Sequence, residues 1–417
     1  MAIARRFSLA KLARRALRGC AATAEQAGLT LVANLPDDLP LVAGDERRPI
    51  SPSPSIRIEI GDVMVHSEGE NSGAMTSLRA QLHALPKVDL HRHLEGSLRL
   101  QTLAEIAQEH GIDLPSYDIE YLRPFVTVTN EEPDFHRFLQ KFQLLRRFYT
   151  TQAAIERVAY EAVADAAADN IKYLELRFNP VALARTQGFS LDQVTTWVCS
   201  AAACAQRDCG LRANLILQIG RDENLDTASR IADVALAHRS DGVVGLDLAG
   251  DETRYPARCF AEVFQRVRQE GLNVTVHAGE VGGAGNVREA IELLGAQRIG
   301  HGVRTIENSE VVQLVREREV TLEICPTSNL QTGVVRRFGQ HPLPDLLALN
   351  LRVAINTDDP SISDTTLTDE YLAVMLAMGV TLEQIKRTIV MAVEGSFQPP
   401  DERKRLAEWF RKELGLA

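Results

Sequence analysis

The sequence predicts an α/β protein: a (β/α)8 barrel of the TIM type over residues 76–417, preceded by an N-terminal extension over residues 1–75. Three observations lead to this prediction. From residue 86 onward, eight short runs of β-branched and other apolar residues follow one another. Long amphipathic stretches with helical periodicity separate these runs, as in alternating βα folds. Nearly every run ends in His, Asp, Glu or Asn, and the C-terminal ends of barrel strands form the active-site face.

The predicted strands, in chain order, are 88–96 (VDLHRHLEG), 172–180 (KYLELRFNP), 213–220 (ANLILQIG), 243–252 (VVGLDLAGDE), 273–280 (NVTVHAGE), 298–302 (RIGHG), 321–329 (TLEICPTSN) and 352–360 (RVAINTDDP). Ahead of the second strand, apolar residues recur every three or four positions over residues 153–169, which indicates a helix with one buried face. A doubly wound open sheet is the competing architecture, but no GxGxxG motif follows the first strand to support it.

The first 75 residues differ in composition from the rest of the chain. Residues 1–19 carry five arginines and one lysine but no acidic residue. Residues 24–48 resemble the segment leading into the ATP-binding domain of sensor histidine kinases, but the resemblance stops before the ATP-binding helix, so we assign no kinase function. Residues 49–75 are rich in Pro, Ser and Gly, which is typical of a linker. We expect a disordered or loosely packed extension, either a histidine-kinase-like remnant or the result of a misplaced start upstream of Met75; a transit peptide is the alternative.

The composition excludes several classes of protein. The chain of 417 residues has a formal net charge of −10, which argues against a nucleic-acid partner because phosphate-backbone binding needs clustered positive charge. No apolar run approaches the roughly 18 to 20 residues that span a bilayer. Six cysteines in so long a chain, none of them in a CxxC pair, favour neither a disulfide scaffold nor a cysteine zinc site. We therefore expect a cytoplasmic protein, and its mixed surface charges fit a monomer.

Four residues at the predicted strand ends have the chemistry of metal ligands. His91 and His93 are two apart on one strand and therefore face the same side. His277 ends the fifth strand and Asp358 ends the eighth. A lone histidine is usually a hydrogen-bonded core or surface residue, but an HxH pair joined by further strand-end ligands favours a metal. Three imidazoles and one carboxylate suit Zn²⁺, with one position left for water, whose pKa the metal lowers to about 7.

Three further residues could move protons beside such a metal. Glu280 follows His277 by three residues and is a candidate proton carrier, and His301 could hold or deprotonate the attacking water. Asp359 can accept a hydrogen bond from the nucleophile or the substrate. Taken singly, Glu280 could equally be a helix-capping acid and Asp359 a turn residue before Pro360. The fourth strand lacks a lysine that could be carbamylated, so one metal is the expected count.

Together these motifs resemble the adenosine deaminase family of zinc amidohydrolases. The segments that carry the resemblance keep the family's order, and they are PKVDLHRHLEGS (86–97), DLAGDE (247–252), HAGE (277–280), RIGHG (298–302), EICPTSN (323–329) and NTDDP (356–360). The resemblance extends from Pro86 to the C-terminus. It implies a (β/α)8 barrel that hydrolyses the 6-amino group of a purine nucleoside and releases ammonia, a reaction of purine salvage.

The resemblance also implies a role for each matching residue. His91, His93, His277 and Asp358 would hold one Zn²⁺ per chain. Glu280 would donate a proton to the purine nitrogen N1, His301 would position the attacking water, and Asp359 would contact that water and the purine. The segment FLQKF (138–142) matches a lid whose aromatic residues cover the pocket. The residues implied to contact the substrate are His93, Glu95, Gly250, Asp359, Phe138 and Phe142.

One position departs from the commonest family pattern. Nucleoside deaminases of this family often read HLDG after the metal pair, where the Asp contacts the ribose 5′-hydroxyl, but here the residue is Glu95. Relatives with HLEG include deaminases of adenine and of modified nucleosides. The RIGHG, EICPTSN and LDLAGDE segments favour adenosine and 2′-deoxyadenosine as substrates. The alternative is another 6-aminopurine, such as adenine, aminodeoxyfutalosine or a modified adenosine.

An alternative function of a different class is that of a non-catalytic binding or signalling protein, which the kinase-like segment 24–48 could indicate. The complete set of ligands, acid and base argues against it, because a protein that had lost catalysis would normally lack at least one of them. The sequence therefore predicts a zinc-dependent enzyme that acts on a small-molecule purine.

Overall fold

The computed structural model describes residues 6–8, 41–43, 71–129 and 131–416. Its largest element is a sheet of eight parallel strands, hydrogen-bonded in the order in which they occur along the chain. The eight barrel strands are Lys87–His93, Ile171–Phe178, Arg212–Gly220, Val243–Ala249, Asn273–Ala278, Arg298–His301, Thr321–Ile324 and Arg352–Ile355. All eight predicted strands are present, and the barrel prediction is confirmed.

The barrel closes where the first strand meets the segment after the eighth. The backbone N–H of His93 donates to the carbonyl of Asp358 at 2.8 Å, and the N–H of Asp358 donates to the carbonyl of His91 at 2.9 Å. Beside this seam, the Asn356 Oδ1 atom accepts from the Leu90 N–H, and the Thr357 hydroxyl donates to Asp89. An open doubly wound sheet has two free edges, whereas here the two edge strands are joined, so that alternative is excluded.

Helices connect the strands and cover the outside of the barrel. The α-helices are Asn71–Ala84, Leu100–His110, Ile119–Val126, Phe135–Leu145, Gln152–Ala168, Pro180–Ala184, Leu191–Cys209, Leu225–Ala237, Ala261–Gln269, Ala284–Glu289, Ser309–Glu317, Pro326–Gln331, Leu343–Ala348, Pro360–Ser363, Leu367–Met378, Leu382–Gly395 and Pro400–Glu413. None of the helices in these described ranges is long and apolar enough to cross a membrane.

The helix before the second strand shows how the sequence sets these elements. It spans Gln152–Ala168, within one residue of the predicted 153–169, and the Thr151 side chain caps its start by accepting from the Ala154 N–H. Ile155, Val158 and Ala162 lie on its buried face, which accounts for the periodicity seen in the sequence.

The chain divides into two compact units, Met1–Gln81 and Leu82–Ala417. In the first, the strands Arg6–Ser8 and Leu41–Ala43 pair in antiparallel fashion. The expectations for residues 1–75, namely disorder, a kinase-like remnant or a transit peptide, fall almost entirely outside the described residues.

Candidate active site

The predicted metal ligands converge at the C-terminal end of the barrel. The His93 Nε2 atom lies 3.2 Å from His91 Nε2 and 3.3 Å from His277 Nε2. The Asp358 Oδ1 atom lies 3.1 Å from His91 Nε2 and 3.2 Å from His93 Nε2. All four residues are buried. The first and fifth strands and the turn after the eighth strand therefore bring one cluster together.

These separations suit a tetrahedral metal ion. Donor atoms about 2.0–2.1 Å from a Zn²⁺ at the centre of a tetrahedron are about 3.3 Å from one another. The four donor–donor separations given above, which link His91, His93, His277 and Asp358, are 3.1 to 3.3 Å. With no ion between them, three imidazoles and a carboxylate packed this closely would leave nitrogen lone pairs facing one another. The donor set therefore fits a bound Zn²⁺.

His301 is a fifth donor at the same cluster. Ligand atoms of His91, His277, His301 and Asp358 all lie within 4.8 Å of one another. The His301 Nε2 atom, however, is 3.9 Å from the nearest Asp358 oxygen, farther than His93 is. These distances favour His93 as the ligand and leave His301 beside the metal position.

Two of the four clustered residues, His91 and His277, are held by carboxylates through their Nδ1 atoms. The Nδ1 atom of His91 lies 2.8 Å from Glu323 Oε2, and the Nδ1 atom of His277 lies 3.1 Å from Asp247 Oδ1. Because each Nδ1–H donates to a carboxylate, each Nε2 atom is free to face the metal position. The Arg177 guanidinium joins the two carboxylates, donating to Asp247 at 3.0 Å and to Glu323 at 2.8 Å.

These orienting carboxylates keep their charge although they are fully buried. Burial alone would raise the pKa of Glu323, but Arg177 and Arg298 hold it well below its usual range. Burial is likewise outweighed at Asp247, where His277 and Arg177 lower the pKa. Burial also lowers the pKa of His277 to about 4, which keeps the ring neutral and able to bind a metal.

Glu280 has the opposite environment. Its side chain is buried, and its nearest ionisable partner is His301, whose Nε2 atom lies 3.7 Å from Glu280 Oε2. Burial, followed by the negative charges of Asp358, Glu252 and Asp359, raises the pKa of Glu280 well above its usual range. A carboxyl group that stays protonated at neutral pH can act as a general acid.

The two adjacent aspartates at the end of the eighth strand differ in the same way. Burial would raise the pKa of Asp358, but hydrogen bonds from His91 and His93 lower it well below its usual range. Burial and the neighbouring Asp358 charge raise the pKa of Asp359 well above its usual range. The surroundings therefore favour the anionic form of Asp358 and the protonated form of Asp359.

A chain of hydrogen bonds fixes the tautomer of His301. The Leu343 N–H donates to His341 Nδ1 at 3.0 Å, so His341 carries its hydrogen on Nε2 and donates to Asn329 Oδ1. The Asn329 amide then donates to His301 Nδ1 at 3.1 Å. His301 consequently carries its hydrogen on Nε2, towards the site. Burial lowers its pKa well below the usual value, so the ring is neutral.

Backbone strain coincides with two of these residues. His301 and Asp358 have φ angles of 60° and 61°, in the left-handed region that non-glycine residues rarely adopt. Such strain costs about 1–3 kcal/mol at each position and is concentrated at functional sites.

A cavity of about 330 Å³ opens above the metal ligands and is lined by every residue predicted to contact substrate. Phe138 and Phe142, on the helix Phe135–Leu145, line one wall with their ring centroids 6.4 Å apart. Gly250 lines the cavity with a φ of 112°, a conformation that favours glycine. Glu95 accepts from the Asn179 N–H with Oε1, while its buried Oε2 atom has no hydrogen-bond partner among the described residues.

Several residues of this site did not stand out in the sequence. His136, which lies in none of the motifs quoted above, lines the cavity, as do Arg146 and Gln218. The orienting residues Arg177 and Glu323 are charged residues inside buried strands, and a charge in such a strand is the signal that could have identified them. A larger groove of about 810 Å³ lies beside Arg212 and Trp409, away from all the residues predicted to act in chemistry.

Comparison with known proteins gives one family. The family model for adenosine deaminase matches residues 86–413. An adenosine deaminase from Aliivibrio fischeri is 38% identical over 328 residues, which cover 79% of this chain and 98% of that protein.

Two solved structures share the fold over most of their length. The crystal structure of an adenine deaminase from Arthrobacter aurescens has a TM-score of 0.74 and 29% identity, covering 80% of this chain and all of that one. An amidohydrolase from Burkholderia ambifaria with bound Zn has a TM-score of 0.74 and 28% identity, covering 81% of this chain and 93% of that one.

Proposed function

The chain belongs to the adenosine deaminase family, and we propose that it deaminates adenosine and 2′-deoxyadenosine to inosine and 2′-deoxyinosine. In this reaction the oxygen of water bonds to C6 of the purine, the bond from C6 to the amino nitrogen breaks, and ammonia leaves. The observation that carries the proposal is a buried Glu280, whose pKa is raised by burial and by nearby carboxylates, beside a cluster of donors spaced to hold a metal ion.

We propose one Zn²⁺ per chain, held by His91, His93, His277 and Asp358. When bound, the ion acts as a Lewis acid that makes a water-derived nucleophile available at neutral pH. Glu323 and Asp247 serve the ion indirectly, because they hold the His91 and His277 rings with Nε2 facing inward.

Glu280 is the proton donor to the purine N1 in this proposal. C6 of an aromatic purine is a poor electrophile until N1 is protonated, so an acid at N1 lowers the barrier for attack. The raised pKa of Glu280 supports this role, because an acid with an ordinary pKa would be ionised at neutral pH.

His301 and Asp359 act on the attacking oxygen and the ring. His301 carries a hydrogen on Nε2 and can donate it to the oxygen that attacks C6. Asp359 would contact that oxygen and the purine. The Gly250 backbone would hydrogen-bond the ring, Glu95 would meet the ribose side, and Phe138 and Phe142 would exclude water above it.

The test is ammonia release by purified full-length protein with measured zinc content. Adenosine, 2′-deoxyadenosine, adenine and aminodeoxyfutalosine are compared side by side. We expect turnover of the two nucleosides with one zinc per chain, loss of turnover after chelation, and its recovery on adding Zn²⁺. Turnover of adenine or aminodeoxyfutalosine alone would contradict the proposed substrate and point to Glu95, on the ribose side.

A further inference from the structure

We propose that Glu252 is a positioning residue that holds the backbone of Glu280 in place for proton transfer, an inference that rests on the function proposed above. Glu252 does not line the cavity, and it lies at the end of the DLAGDE segment, after the fourth barrel strand. Its carboxylate is buried beneath the turn formed by residues 279–282, which follows the fifth strand.

The Glu252 carboxylate accepts four hydrogen bonds from this turn and the helix behind it. Oε1 accepts from the N–H groups of Glu280 and Gly282, each at 2.8 Å. Oε2 accepts from the Gly279 N–H and from the Asn286 side-chain amide, each at 2.9 Å. Three of the four donors are backbone groups at Glu280 or within two residues of it, so one side chain fixes the path of the chain that carries the acid.

The two glycines of the turn allow this close approach. A Cβ atom on Gly282 would lie 2.8 Å from the Glu252 carboxyl carbon and 2.2 Å from the Asn286 amide nitrogen. Gly279 has a φ of 66°, and a Cβ atom there would lie 2.5 Å from a Val287 methyl group. The HAGEVGG segment therefore wraps around a carboxylate that is supplied 25 or more residues earlier in the chain.

The arrangement matters for chemistry because no hydrogen bond holds the Glu280 side chain among the described residues. Its nearest ionisable partner, the neutral His301, is 3.7 Å away, too far for a normal hydrogen bond. The direction of the Glu280 side chain is thus set from its backbone. The charge of Glu252 also helps to raise the pKa of Glu280, although burial and Asp358 contribute more.

The decisive variant is Glu252→Gln. An amide offers one oxygen where the carboxylate offers two, so two of the four donors would face an NH2 group that cannot accept. We expect kcat for adenosine to fall roughly tenfold to a hundredfold, with KM within about threefold and zinc content unchanged, because a misplaced acid loses part of its 10²–10⁴-fold contribution. Hydrogen exchange at the amides of residues 279–282 should speed up in the substrate-free protein.

Glu289→Gln is the matched control. Glu289 also accepts from a backbone N–H and a side chain, both of Arg258, but no hydrogen bond joins it to the 279–282 turn among the described residues. Its kcat and its exchange pattern at 279–282 should match the parent protein. A Glu252→Gln protein with parental kcat, or with unchanged exchange at the turn, would overturn the inference.

Gly282→Ala provides a second route if Glu252→Gln does not fold. The added methyl group displaces the Glu252 carboxylate without changing its charge, and we expect the same fall in kcat at unchanged zinc content. Parental kcat in that variant would also overturn the inference. If the parent protein itself does not release ammonia from adenosine, the proposed function has failed instead, whatever the exchange at the turn shows.

Discussion

The barrel holds two groups of buried carboxyls that differ in their partners. The first group, called the lower group here, consists of Glu323 and Asp247, the carboxylates that hold His91 and His277. Both face guanidinium groups, and their pKa values are lowered. The second group, called the upper group here, consists of Glu280 and Asp359, which line the cavity. Neither has a guanidinium partner at hydrogen-bond distance among the described residues, and their pKa values are raised. Pairing with a cation keeps a buried acid charged, whereas isolation keeps it protonated.

This difference in partners distinguishes carboxyls that stabilise the site from carboxyls that can take part in proton transfer. A paired carboxylate is costly to disturb, since removing one partner leaves the other charge buried alone. Replacing an isolated buried acid by a neutral side chain costs less stability, because its surroundings already favour the neutral form. Such an acid is also the group that can donate a proton. Substitutions in the upper group should therefore change rate, and those in the lower group should change stability and metal affinity.

The largest effect is expected in the upper group, for Glu280→Gln. An amide has the size of the protonated acid but cannot transfer a proton, so kcat should fall by about 10²–10⁴-fold while zinc content and melting temperature stay close to those of the parent. Steady-state kinetics, metal analysis and a thermal melt give the three values.

His277→Ala is the comparison variant for that experiment, because it should lose zinc and activity together. A Glu280→Gln protein with a near-parental rate would show that Glu280 belongs with the structural carboxyls, and the distinction between the groups would fail there.

In the lower group, Glu323→Gln should act through the metal and the fold. The change removes the charge that faces Arg177 and Arg298, so we expect a loss of about 3–5 kcal/mol in unfolding free energy. Zinc affinity should fall about 10–100-fold, because Glu323 orients His91. Denaturant unfolding and competition with a chelator measure the two effects. If saturating zinc restores most of the kcat, Glu323 acts by orienting His91. If kcat stays low at saturating zinc, Glu323 belongs with Glu280 and Asp359, the carboxyls proposed to act in the chemistry.

The smallest effect concerns Glu370, a buried acid outside both groups. Burial raises its pKa to about 8, although the Thr327 N–H donates to it at 3.1 Å. Because the folded pKa exceeds the unfolded value of about 4.5, the contribution of Glu370 is most favourable below pH 4.5 and is lost progressively up to pH 8.

Glu370→Gln removes that dependence. Relative to the parent, the variant should gain up to about 2–3 kcal/mol in unfolding free energy between pH 5 and pH 7, as measured by denaturant unfolding at each pH. Parallel curves for the two proteins would show that Glu370 is ionised in the folded state, and isolation would then not suffice to keep a buried acid neutral.

The sequence predicted the parts of this molecule that depend on local spacing. The HxH pair, the strand-end His277 and the Asp358–Asp359 pair are visible because each sits where a short apolar run stops. The eight strands were predicted for the same reason, although seven of the eight runs continued past the observed strand into the loop that follows it.

The rest depends on contacts between distant segments. The link from His341 through Asn329 to His301 exists only after the seventh strand packs beside the sixth. Glu252 and the turn at 279–282 are likewise joined across two strands. Because one sequence carries no record of which distant side chains meet, spacing cannot show these pairs.

The closing seam has a consequence for how the protein is made. Its partners, such as Leu90 and Asn356, are 266 residues apart, and the first strand is synthesised long before the last. At about 5–20 residues per second, a ribosome needs some tens of seconds to deliver the missing partner. Throughout that time the edge of the first strand has no neighbour and remains open to pairing with other chains. Asp358 joins His91 and His93 only at the same moment, so a truncated chain that ends before the eighth strand lacks both a closed barrel and the full set of proposed metal ligands.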